Sequence, residues 1–104
     1  MFANGLGIEP SEALRILRQT PAASTVMETK GDRMVSGDFA PQARLSQHLK
    51  DVRLIRAESE RVNCKTPLTE LHQRLLETAI ELGLGDLDNS AIIEVFGDSS
   101  ESVE

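Results

Sequence analysis

An all-α, multi-helical fold is predicted by three features of the sequence. Leu45, Leu49, Val52 and Ile55 recur at helical spacing over about 45–63. Leu68, Leu71, Leu75, Ala79 and Leu82 do the same after Thr66-Pro67, a good helix start because proline's missing N–H belongs to a first turn that has no partner for it. No segment alternates apolar and polar residues over a strand's length, apart from a short ambiguous run near the end. With 104 residues the chain holds one small domain, assigned to residues 1–97, followed by an acidic disordered tail at 98–104.

The elements follow in order. Met1 to Ile8 contains Asn4, Gly5 and Gly7 and lacks the basic start and apolar length of a signal peptide. Pro10 opens a short helix to about Arg18, with Ala13, Leu14, Ile16 and Leu17 on a broad apolar face. Thr20 and Pro21 interrupt the chain, and Ser24 caps a second helix to about Lys30, stopped by Gly31. Residues 37–42, with Asp38 and Pro41, read as a loop. The long helix follows from Leu45 to about Asn63, then the helix at 67–82, capped by Thr66 and ended by Gly83 and Gly85. Asp88 or Asn89 caps a final short helix through Ala91, Ile92, Ile93, Val95 and Phe96, for which a strand is the competing reading because these residues favour both states. After Gly97 there is too little apolar surface to offset the entropy of ordering the chain, hence the expected tail.

Charge and composition exclude several functions. The net charge is −6, and three of those charges lie at Asp98, Glu101 and Glu104, so no basic patch is available for nucleic acid. A helix-turn-helix reading fails as well, because Asn89 to Phe96 contains Glu94 and no Lys or Arg. No run approaches the roughly 20 apolar residues of a membrane span. Cys64 has no intramolecular partner, which suits a reducing cytoplasm, and it reads as an inert helix-end cysteine. A cytoplasmic protein is expected, with no metal site, since His48 and His72 fit a packing or boundary role and no Cys or carboxylate pattern has metal spacing. Gly5 and Gly7 do not make a phosphate loop, because no strand precedes them. Lys50 and Asp51 lie about 100° apart on the long helix and read as solvated residues; Arg53 and Arg56 add positive charge that, with Lys50, could meet a phosphate or carboxylate.

Taken in order, Ile8-Glu9-Pro10-Ser11-Glu12-Ala13-Leu14, Met34-Val35-Ser36-Gly37-Asp38-Phe39, Leu49-Lys50-Asp51-Val52-Arg53-Leu54, Thr66-Pro67-Leu68 and Gly83-Leu84-Gly85-Asp86 resemble the C-terminal domain of the 3-hydroxyisobutyrate dehydrogenase and tartronate semialdehyde reductase family. The resemblance implies a fold like the 6-phosphogluconate dehydrogenase C-terminal domain without its first long helix. It also implies NAD or NADP as the cofactor of the full-length family, with Lys50 and Asp51, in the place of that family's K-D-L segment, as the cofactor-contacting residues; Ala43 stands where the family often has an aromatic. The glycine fingerprint for a dinucleotide and the segment carrying the family's catalytic lysine are not found in these residues, so no catalytic residue is assigned and no cofactor is expected to bind this chain alone. The resulting expectation is a truncated helical module that forms a homodimer through apolar surface on its long helices, or else a subunit completed by a separate Rossmann-domain chain.

Overall fold

The computed structural model describes residues 1–102, with side chains described through Gly97. It divides into two compact units, residues 1–39 and 40–104. The first holds α1 (Phe2–Gly5), α2 (Pro10–Leu17) and α3 (Thr25–Ser36). The second holds α4 (Leu45–Arg61), α5 (Pro67–Glu81), a 3-10 turn (Asn89–Ile92) and α6 (Ile93–Ser102). No described helix is long and apolar enough to cross a membrane.

In the first unit, α2 begins at Pro10 as expected, after Glu9 in an extended conformation. Leu14 is its buried apolar anchor. Ser24 caps α3 by accepting from the Met27 amide at 3.1 Å. Gly31 does not stop that helix. A Cβ there would stand 2.7 Å from Cδ1 of Leu14, so the glycine is where α3 approaches the α2 anchor closely, and α3 runs on to Gly37, whose φ of +74° is left-handed. Arg18 adds ion pairs to Glu28 (3.4 Å) and Asp32 (2.9 Å) on α3.

The second unit is built around Leu45, Leu49 and Val52 of α4, Leu76 and Ala79 of α5, Ala91 of the 3-10 turn and Val95 of α6. Both long helices end in the same way. Asn63 (φ +58°) and Gly83 (φ +82°) take the left-handed position, and the amides that follow reach back into the last turn, Cys64 to the Ser59 carbonyl (2.8 Å) and Leu84 to the Ala79 carbonyl (3.0 Å). The start of α5 differs from expectation. Thr66 makes no side-chain cap; its hydroxyl instead accepts from Arg56 Nη1 at 3.2 Å. The expected apolar face of α5 is also corrected. Leu68 and Leu71 are exposed, and Leu76 with Ala79 faces the core, because α5 packs on α4 on one side and on the 3-10 turn and α6 on the other.

The expectation of one multi-helical all-α body resembling the 6-phosphogluconate dehydrogenase C-terminal domain without its first long helix is corrected. The described residues form two compact units rather than one, since Leu14 anchors the first and the remaining buried apolar residues all belong to the second. Helices are joined by local extended pairing as well: Arg44 and Asp88 form an isolated antiparallel bridge, because the chain entering α4 must run alongside the chain entering the 3-10 turn to satisfy its amides. The side chains of the acidic tail expected at 98–104 lie outside the described residues.

Candidate cofactor-contacting site

Burial of Leu45, Leu49 and Val52 turns one face of α4 inward, which leaves Lys50 and Asp51 on exposed positions. Neither is held by a hydrogen bond or an ion pair to a described residue. Lys50, Arg53 and Arg56 are not brought together. Arg53 donates to Glu77 Oε2 at 3.0 Å, and Arg56 is drawn to Thr66, to Glu60 at 3.4 Å and to Glu70 at 3.8 Å. Arg53 and Arg56 are thereby engaged by carboxylates, as Arg61 is by Glu58, whereas Lys50 has no such partner among the described residues. Beside it, Leu54 and Ile55 are 62% and 55% exposed, so this ridge of α4 pairs an unengaged cation with uncovered apolar surface.

What positions this ridge is a carboxylate that the sequence marks only as a helix cap. Asp88 is fully buried. Its Oδ1 accepts from the amides of Gln42 (3.0 Å) and Ala43 (3.1 Å), and its Oδ2 accepts from the Ser90 amide (3.1 Å) and hydroxyl (2.5 Å). Around it, Asn89 donates to the Ala43 carbonyl at 2.7 Å and Leu45 to the Leu87 carbonyl at 2.9 Å. Asp88 thus ties the chain entering α4 to the 3-10 turn and sets where α4 begins. An Asp two residues before a Ser is a local capping signal; that its other oxygen reaches residues 42 and 43 could not be read from spacing.

Two further features lie on α4 and α5. The histidine rings of His48 and His72 meet with centroids 5.1 Å apart, tilted by 56°. Burial, and then the neighbouring His48, hold the His72 imidazole below its ordinary pKa. At the other end of α4 a cavity of about 530 Å³ is lined by Arg56, Glu60, Asn63, Cys64, Lys65, Thr66, Pro67 and Glu70. Cys64 is exposed there, just beyond the helix end. The described residues contain no group of three or more His, Cys, Asp or Glu placed to hold a metal ion.

Residues 1–96 match the family described as NAD-binding of NADP-dependent 3-hydroxyisobutyrate dehydrogenase, and the chain belongs to that family. It is 29% identical over 94 residues to the 2-hydroxy-3-oxopropionate reductase of Escherichia coli, covering 90% of this chain and 32% of that protein. It is likewise 29% identical over 91 residues to the cytokine-like nuclear factor N-PAC of Aedes aegypti, covering 88% and 16%. The fold is similar to that of 3-hydroxyisobutyrate dehydrogenase from Salmonella typhimurium, with a TM-score of 0.85 and 22% identity over 90% of this chain and 33% of that one. The chain therefore spans about a third or less of the length of these relatives. The family match agrees with the resemblance to 3-hydroxyisobutyrate dehydrogenase expected from the sequence.

Proposed function

We propose that this chain is a helical module of an NAD(P)-dependent 3-hydroxyacid dehydrogenase, that it associates with a second copy through uncovered apolar helical surface, and that it performs no hydride transfer by itself. The observation that carries this reading is the outer ridge of α4. Lys50 is exposed and unengaged there, with Leu54 and Ile55 exposed beside it, while the cations that could have built a phosphate cradle are neutralised by Glu60, Glu70 and Glu77. One free cation on an open ridge suits a single contact to a dinucleotide held elsewhere. It does not wrap one, because burying a pyrophosphate takes converging amides or several charges. On this reading Lys50 approaches the cofactor and Asp51 orders the polar surroundings, and the dinucleotide supplies the hydride chemistry.

A second reading is that of an enzyme subunit completed by a separate Rossmann-domain chain. It is supported by the family's description as NAD-binding. Calorimetric titration with NADH and NADPH, with mass followed by light scattering in the same buffer, separates the two. A dimer mass without binding heat supports the module; a monomer at micromolar concentration refutes the homodimer. Saturable binding that is lost in Lys50→Ala moves the second reading ahead.

A further inference from the structure

The His48–His72 contact is unused by the cofactor reading and does not depend on it. It joins the first turn of α4 to the first half of α5, and both rings are half-buried. We propose that this histidine pair is an acid-sensitive latch between α4 and α5, closed when at least one imidazole is neutral and weakened when both carry a proton.

The physical basis is the separation. Rings 5.1 Å apart and tilted by 56° can share one proton's charge with a neutral partner, but two imidazolium ions at that distance repel, and partial burial weakens the screening that water would provide. No described carboxylate forms an ion pair or hydrogen bond with either ring. On α5 the positions one turn from His72 are Leu68, Thr69, Leu75 and Leu76, none of which is charged. On α4 the charged positions one turn from His48 are Arg44 and Asp51; Arg44 leans to Asp86 at 3.9 Å and would oppose protonation, while Asp51 is exposed to solvent. The ion pairs that cross between the helices, Arg53 with Glu77 and Arg56 with Glu70, engage one another. The 3-10 turn packed on both helices carries no charged side chain, and Asp88 before it is occupied by Gln42, Ala43 and Ser90. Among its described side chains α6 brings only Glu94, which is exposed.

The sign follows from His72. Its folded-state pKa lies below the ordinary value, so the unfolded chain binds the proton more readily, and stability present above the ordinary value is lost as pH falls from there through the folded-state pKa. The latch holds α5 against α4, so it acts on the helix that carries Lys50 and Asp51.

The test is an NMR titration of the two histidines in the full chain, together with urea denaturation at several pH values from about 7.5 down to about 5.5, across the ordinary histidine range. The expected result is a His72 that titrates below the ordinary value, a denaturation midpoint that falls with acid, and a His48→Gln variant in which His72 titrates higher and the acid-induced fall shrinks. Independent titration of both imidazoles at ordinary values, in the wild-type chain alone, would overturn the proposal, whether or not the variant folds. So would an undiminished acid effect in the His48→Gln/His72→Gln double variant.

Discussion

Replacing Asp88 by alanine removes the acceptor for four hydrogen bonds at once. Its consequence depends on which donors can find water. Gln42 and Ala43 are exposed, so their amides rehydrate at modest cost. Ser90 is 2% exposed, and both its amide and its hydroxyl lose their partner where water does not replace it. A buried donor left unsatisfied costs about 1–3 kcal/mol, and bonds to a charged acceptor stand at the upper end, so Asp88→Ala is expected to destabilise the chain by about 3–5 kcal/mol. Against a typical total of about 5–15 kcal/mol this is a large fraction. Asp88→Asn keeps one acceptor but turns an N–H₂ toward a donor, and should cost less, about 2 kcal/mol. The assay is urea unfolding followed by far-ultraviolet circular dichroism, read as a change in midpoint at constant slope. If Asp88→Ala falls within about 0.5 kcal/mol of the wild type, the usual span of a neutral surface change, the clasp joining residues 42–45 to the 3-10 turn contributes nothing and its role in setting α4 is refuted.

Two further outcomes follow from burial and backbone geometry. Leu76 is completely buried and should cost about 2–5 kcal/mol when cut to alanine, whereas Leu68, 82% exposed on the same helix, should change stability by no more than about 0.5 kcal/mol; equal effects in denaturant melts would mean that the inward face of α5 is misassigned. Gly83 has a φ of +82° and open space where a Cβ would stand, so Gly83→Ala carries only the backbone penalty, about 1–2 kcal/mol by thermal or urea unfolding, and an unchanged midpoint would show that the left-handed end of α5 is not needed.

The existence and order of the main helices were determined by the sequence, because they depend on local rules. Periodic Leu and Val fix a long helix from Leu45, a proline at the first helical position starts α2 and α5, Ser24 caps α3, and Gly83 ends α5. The exposure of Lys50 and Asp51 was legible for the same reason, since both fall between the buried Leu49 and Val52 and off their stripe. Tertiary structure decided what depends on partners distant in the chain. Gly31 looked like a stop and is instead a close approach to Leu14; Leu71 looked like core and is exposed while Leu76 is buried; Thr66 looked like a cap and bonds Arg56. Residues 42 and 88 meet across 46 positions of chain, and His48 meets His72 only because α4 and α5 pack together. Spacing along the chain encodes which residues share a helix face, but not which of two apolar faces a neighbouring helix will cover, and that choice falls to the packing of the whole unit.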